Sequence, residues 1–270
     1  LEIRKGRKGS DRVRSALLKV LDLFSGLGGF SLALERAGME TEAFCEIDPY
    51  ARQVLNKHWP NVPLWDDIRT LTFHSMELKI DVITAGFPCQ PASIAGKRRG
   101  KEDDRWLWPE TLRVIQEFHP RWVILENVYG LITLDDGMAF EDLCVALEKE
   151  GYEVQAFIIP ACAVNAPHRR DRVWIVGHAK QSNGSYSESG RKEFCLEQNP
   201  LSETERVQSS DSIKRPGWGE IKPSICGMVD EIPHRVDRLK CLGNAVIPRI
   251  VEIIGNAIIE IEKQQNDEVG

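Results

Sequence analysis

No run in the chain approaches the roughly 18 consecutive apolar residues that a membrane-spanning helix needs, so a bilayer-crossing protein is not expected. The stretch 1–14 is basic and has no apolar core or small-residue cleavage site, which argues against a secretory signal; the missing initial Met points to trimming. Cysteine is scarce and unpaired in pattern. Seven are present, an odd count, with no C-x-x-C pair and no His at zinc-ligand spacing. That argues against a disulfide framework and a structural zinc, leaves single thiols free for chemistry, and fits a reducing cytoplasm. Positive charge is also in deficit, with a formal net charge of -6. Overall charge therefore gives no pull toward phosphates, and no internal repeat is visible.

What is present is ordinary globular material. At 270 residues, 42% hydrophobic and 28% charged, the chain can bury one full-sized core with a small appendage. The basic residues gather at Lys97, Arg98, Arg99 and Lys101, at Arg169, Arg170 and Arg172, and at Arg235, Arg238 and Lys240. Acidic residues concentrate elsewhere, notably between Glu141 and Glu150 and in the C-terminal tail. This segregation allows a basic face on an acidic protein, although any single cluster reads equally well as solvated surface.

From Leu17 onward, short apolar runs alternate with helical periodicity, which predicts strands alternating with helices around a mostly parallel sheet. Strands are expected at Lys19–Phe24, Glu42–Glu46, Val82–Gly86, Trp122–Glu126, Glu153–Pro160 and Arg172–His178. Helices are expected at Phe30–Ala37, Pro49–His58, Trp108–Phe118 and Ala139–Glu150. From Lys180 to about Pro223 the chain is rich in Ser, Glu, Asn and Gly and can contribute little core, as a linker or a recognition module. Helical periodicity returns from Leu239 to Ile261 and ends in a polar tail.

Three segments carry chemistry. The first strand runs into Ser25-Gly26-Leu27-Gly28-Gly29-Phe30, where glycines let the backbone approach a ligand and helix amides meet an anion. The next strand ends in Glu46, placed to bind ribose hydroxyls. NAD and S-adenosylmethionine (SAM) both suit this much, but Ser31 stands where a dinucleotide site has its third glycine. Strand Val82–Gly86 ends in Phe87-Pro88-Cys89-Gln90-Pro91. A free Cys is usually buried and inert, yet this one lies in a polar, basic loop that can stabilise a thiolate. Strand Trp122–Glu126 delivers a carboxyl to the same edge, so Cys89 and Glu126 pair as nucleophile and acid on adjacent strand ends. Last, Arg170 and Arg172 alternate at period two and are expected to point to one face.

Five segments in order resemble the cytosine-5 DNA methyltransferases, especially compact phage or prophage-type members. They are Asp22-Leu23-Phe24-Ser25-Gly26-Leu27-Gly28-Gly29, Gly86-Phe87-Pro88-Cys89-Gln90, Glu126-Asn127-Val128, the Arg170/Arg172 segment, and Gly243-Asn244-Ala245-Val246. The resemblance implies an α/β fold: a Rossmann-like SAM-dependent methyltransferase sheet, mostly parallel with helices on both faces, and a small target-recognition subdomain. It implies SAM as cofactor, with Phe24, Gly26, Leu27, Gly28 and Gly29 around the methionine part. Glu46 would hold the ribose, Asp67 and Ile68 the adenine, Pro88 would lie near the sulfonium, and Asn244 with Ala245 would complete the pocket. Cys89, Glu126, Arg170 and Arg172 would be catalytic. Double-stranded DNA is the implied partner, a monomer the expected state, and the cytoplasm of a bacterial or phage-infected cell the expected location, with no metal and no membrane.

The expected organisation is a basic tail over 1–16, a catalytic domain over 17–180, a variable region over 181–235, a returning segment over 236–262 and a polar tail over 263–270. His168 stands where the family often has Gln, and the family's motif just before the final one is not recognisable. These departures bear on target recognition more than on the chemistry. Three rivals differ in class. A tRNA-directed relative would carry a Cys-Phe-Thr element that is not seen here, a catalytically silent binding module would lack Cys89 or Glu126, and an NAD-dependent oxidoreductase would need the third glycine.

Overall fold

In the computed structural model, which describes residues 17–72, 79–88, 106–180 and 235–269, the centre of the sheet is β1 (Lys19–Leu23). It pairs in parallel with β2 (Glu40–Cys45) on one side and with β4 (Val82–Ala85) on the other. The sheet continues through β3 (Leu64–Trp65), β5 (Trp122–Val128), β6 (Tyr152–Pro160) and β7 (Asp171–Ala179) in the order β3-β2-β1-β4-β5-β7-β6. Both pairings of β7 are antiparallel, so it alone runs against the other six. Strands buried on both faces read as continuous apolar runs, as in Val-Ile-Leu of β5, because helices cover each side.

One face is covered by α1 (Gly29–Arg36) and α6 (Pro248–Val269). Phe30, Ala33 and Leu34 of α1 recur at helical spacing and meet Ile250, Val251, Ile254 and Ile258 of α6 over Val20, Val82 and Ile124. Burying each large side chain contributes roughly 1.5–3 kcal/mol. Helices α3 (Trp108–Phe118) and α4 (Met138–Lys149) cover the other face, with Val114, Ile115, Phe118, Leu143 and Leu147 in one cluster with Leu21, Ile83 and Leu125. Between β2 and β3 lies α2 (Pro49–His58), started by Asp48, whose carboxylate accepts from the Tyr50 and Ala51 amides, and by Pro49.

The structure corrects the expected elements in four places. A seventh strand, β3, is only two residues long and follows Pro60 and Pro63, too short for an alternating pattern. Strand β1 stops at Leu23, because Phe24 takes a left-handed backbone (φ 53). The single C-terminal helix is two, α5 (Arg235–Asn244) and α6, broken at Ala245–Ile247 ahead of Pro248, a residue that biases its predecessor away from helix. The supposed polar tail is helical through Val269, since Glu, Lys and Gln propagate a helix well. Cys89, the basic cluster from Lys97 to Lys101, the basic tail and the variable region up to 234 lie outside the described residues.

Candidate active site

The strand order turns at β1: the chain goes outward to β2 and β3 on one side and to β4 and β5 on the other. Ligands of open α/β sheets bind at the carboxyl ends of strands flanking such a switch point. Both chemistry-bearing loops leave from there, the glycine turn after β1 and Phe87-Pro88 after β4.

The glycine turn is built on left-handed backbone at Phe24, Gly26 (φ 53) and Gly28 (φ 78). The cap of α1 is Gly28, with no side-chain cap bond; the Ser31 amide is engaged by Asp22, and the earlier amides of Gly29 and Phe30 head the helix. A Cβ on Gly28 would lie 2.7 Å from the Trp59 ring, whereas one on Gly26 would meet nothing within 4 Å. Glu46, buried just beyond β2, closes the turn from the side. Its Oε2 accepts from the Gly26 amide at 2.7 Å and its Oε1 from the Asp48 amide at 2.7 Å. Each oxygen retains a lone pair that can accept a hydroxyl.

Asp67 caps a short 3-10 turn (Ile68–Thr70), accepting from the Arg69 amide at 3.0 Å, and Ile68 is buried behind it. Arg113 of α3 fixes this turn by donating to the carbonyls of Ile68 at 2.7 Å and Leu71 at 2.9 Å. Glu46 and Asp67 flank the end of β2 together. Burial first, then Glu46, Asp67 and Asp66, push the Cys45 thiol up to about 12, which makes it inert.

On the other side of the switch, Asn127 Nδ2 donates to the Phe87 carbonyl at 3.2 Å and ties β5 to the loop that leads into Pro88. A Cβ on Gly86 would stand 3.6 Å from Glu126 Oε2. Burial raises the Glu126 pKa above the ordinary carboxylate range, against the opposing pull of Arg172 and Arg170. Arg172 Nε lies 2.9 Å from Glu126 Oε1. Arg170 does not belong to β7: it precedes the strand with a left-handed backbone (φ 36). The expected period-two alternation therefore fails at its first member, but both guanidinium groups still act on Glu126.

The C-terminal segment returns to this crevice. Arg170 Nη2 donates to the Ala245 carbonyl at 2.8 Å, and Lys240 Nζ lies 2.7 Å from Asp48 Oδ2. Asn244 is exposed at the end of α5, and its neighbours Ala245 and Val246 make the contacts.

Three features escaped sequence reasoning. Asp22, fully buried in β1, accepts from Thr84 Oγ1 at 2.8 Å and Ser31 Oγ at 2.9 Å; an acid inside an apolar strand was the available signal. Ile47, 64% exposed beside Glu46, offers apolar surface at the end of β2. Val246 packs on Gly29, which no local pattern could reveal.

The family model for C-5 cytosine-specific DNA methylase matches residues 18–218. The type II methyltransferase M2.BsuMI of Bacillus subtilis (strain 168) is 38% identical over 165 residues, 59% of this chain and 41% of that protein. M.HgiCII of Herpetosiphon aurantiacus is 32% identical over 209 residues, 75% of this chain and 48% of that protein. The matches thus span less than half the length of either relative. Among solved structures, a DNA modification methyltransferase encoded within an E. coli prophage superposes with a TM-score of 0.51 at 26% identity, over 63% of this chain and 49% of that one. The S. pombe Dnmt2 methyltransferase gives 0.50 at 27% identity, over 63% and 53%.

Proposed function

Because the chain belongs to the C-5 cytosine-specific DNA methylase family, we propose that it transfers a methyl group from SAM to carbon 5 of a flipped-out cytosine in double-stranded DNA. The fold is the Rossmann-like methyltransferase fold of its structural neighbours. The observation that carries the reading is the meeting of the glycine turn, the Glu46 carboxylate and the Glu126–Arg172 pair around one switch point.

The residues present fit SAM. The uncapped amides of α1 suit its carboxylate, the open space above Gly26 admits its methionine part, and the free lone pairs of Glu46 suit ribose hydroxyls. Ile47 beside Glu46, with Asp67 and Ile68, would hold the adenine. When bound, SAM supplies an electrophilic methyl group on a sulfonium.

Cytosine must leave the duplex stack for its ring carbons to be reached. The Cys89 thiolate then attacks carbon 6, forming a carbon–sulfur bond, while Glu126 gives a proton or hydrogen bond to ring nitrogen 3. Burial keeps that carboxyl protonated to higher pH than usual, as an acid needs. Electron density moves to carbon 5, which takes the methyl group. The methyl group's bond to sulfur breaks in that transfer, leaving a neutral thioether. Loss of the carbon-5 proton to solvent, return of the nitrogen-3 proton to Glu126 and expulsion of the thiolate would restore the ring. Arg172 orients Glu126, and Arg172 and Arg170 supply positive charge where the base carbonyl would lie. Residues 181–235 would read the target sequence, the protein would act as a monomer in the cytoplasm, and no metal is required.

The test is methyl transfer from radiolabelled SAM to duplex DNA and to tRNA side by side, followed by bisulfite sequencing of the DNA. Label at cytosine in DNA, abolished by Cys89→Ser with SAM binding retained, is the expected result. Label in tRNA alone would assign the same chemistry to RNA, and full activity of Cys89→Ser would overturn the mechanism.

A further inference from the structure

We propose that Arg170 is a positioning residue for the methyl donor's pocket, holding the Ala245–Val246 segment over the glycine turn from its place beside Glu126. This rests on the reading of the crevice as a SAM site and adds to it a physical coupling between its two halves.

The helix break leaves Ala245 and Val246 between the two helices, and only at Ile247 does the carbonyl accept the first bonds of α6. The Ala245 carbonyl instead accepts from Arg170 Nη2 at 2.8 Å, a contact across 75 residues of sequence. One residue on, the Val246 side chain packs so closely that Cγ2 would be 2.8 Å from a Cβ on Gly29, and Cγ1 would be 4.0 Å from one on Gly86. Val246 thus packs on the first residue of α1, on the cofactor side, and faces the exit of β4 on the base side. A shift of about 1 Å in this segment would open the wall between them, since close-packed contacts do not deform continuously.

Arg170 is suited to the task. Its backbone is left-handed, a conformation that costs a bulky residue roughly 1–2 kcal/mol and persists only where surroundings enforce it. Its guanidinium is half-buried, and the Nε has no hydrogen-bond partner among the described residues. The group is therefore anchored on the Ala245 carbonyl, with its Nε buried and closed to solvent. Arg172, by contrast, is committed to Glu126 and to the Asp171 carbonyl. The two arginines of one motif then divide the work, one acting on the carboxyl and the other on the C-terminal segment.

An arginine that served only the flipped base would leave SAM binding unchanged in the absence of DNA. Calorimetric titration of the full chain with SAM alone therefore separates the two roles. Arg170→Ala and Val246→Ala are each expected to weaken SAM binding by about tenfold, and the double variant to be no weaker than the worse single variant by more than about twofold, because both break one coupling. Arg172→Lys, which spares the Ala245 contact, should keep SAM affinity within about twofold while slowing transfer. Should Arg170→Ala fail to fold, Arg170→Lys replaces it, and the same weakening of SAM binding in the absence of DNA is expected. Wild-type SAM affinity in the Arg170 variants, or fully multiplicative losses in the double variant, would overturn the coupling alone. A wild-type chain that binds no SAM would overturn the functional reading and the coupling together.

Discussion

Arg172 Nε and Glu126 Oε1 meet at 2.9 Å as a diagonal pair across the antiparallel β5–β7 ladder, where Glu126 itself faces Trp174 and Arg172 faces Val128. Diagonal partners share a face of the sheet, so the register aims both side chains into the crevice. Buried ion pairs are weak sources of stability, and under the proposed mechanism this one orients the carboxyl that acts as the acid. Glu126→Gln keeps the hydrogen-bond acceptor for Arg172 but removes the proton. Methyl transfer should fall by roughly 10²–10⁴, the usual worth of a positioned acid. SAM affinity should stay within about twofold, and titration calorimetry beside a radiolabel assay checks both.

Asp22 predicts a pH dependence of stability. Burial pushes its pKa up to about 7, against the Thr84 and Ser31 hydrogen bonds that pull it down. In the unfolded chain the value is the ordinary 3.8. Between these limits the folded state holds more protons than the unfolded state, so this group's contribution to stability falls as pH rises from about 4 to about 7. Asp22→Asn removes the titration. The difference in unfolding free energy between the variant and the wild type should shift in the variant's favour by on the order of 1 kcal/mol per pH unit across that window. Urea melts of both proteins from pH 4.5 to 8 measure the difference, and parallel curves would refute it.

How much of this was legible in the sequence depends on how local each cause is. Six strands and the helices between them announced themselves through periodicity, most plainly β1, β4 and β5, which bury both faces. The glycine turn was legible because Gly28 must be glycine for reasons written into its neighbours: a left-handed φ and the Trp59 ring. By contrast, the two-residue β3 draws its pairing from β2, and the seat of the Ala245–Val246 segment is fixed by contacts from Arg170 and Gly29. Those are long-range causes with no local signature. Asp22 did stand out locally as an acid inside an apolar strand, but its partners lie on another strand and on a helix.

The glycines of the turn should separate folding from binding. Gly28→Ala adds a methyl group to a left-handed residue and drives it within 2.7 Å of the Trp59 ring, so both strain and clash act. A loss of roughly 2–3 kcal/mol of stability is expected. Gly26→Ala has the same backbone strain but no protein neighbour within 4 Å. Its stability should drop by only about 1–2 kcal/mol, while its SAM affinity collapses because the methyl group occupies the space assigned to the cofactor. Thermal melts with and without SAM distinguish the two: Gly26→Ala should lose the ligand-induced shift in Tm. A normal shift in that variant would move the cofactor away from the turn.

At the opposite end of the sheet, far from the strand ends that carry the chemistry, Glu262 of α6 ties helix to sheet. Its Oε1 accepts from Trp122 Nε1 at 2.8 Å and its Oε2 meets Arg121 Nη2 at 2.6 Å. The Trp122 ring in turn stacks on His178 of β7, with centroids 4.0 Å apart and planes 16° apart. Removing a buried acceptor costs more than the bond was worth, since the indole N–H is then left without a partner. Glu262→Ala should therefore destabilise the fold by roughly 2–3 kcal/mol. Glu262→Gln, which still accepts from Trp122 and loses only the charge facing the half-exposed Arg121, should cost about 1 kcal/mol. Neither should change SAM affinity measured well below Tm, because Trp122 and Arg121 lie at the strand end opposite the glycine turn. Chemical denaturation ranks the variants. Equal stability of the alanine and glutamine forms would mean that α6 is held by its apolar face, Ile250 to Ile258, without help from this bridge.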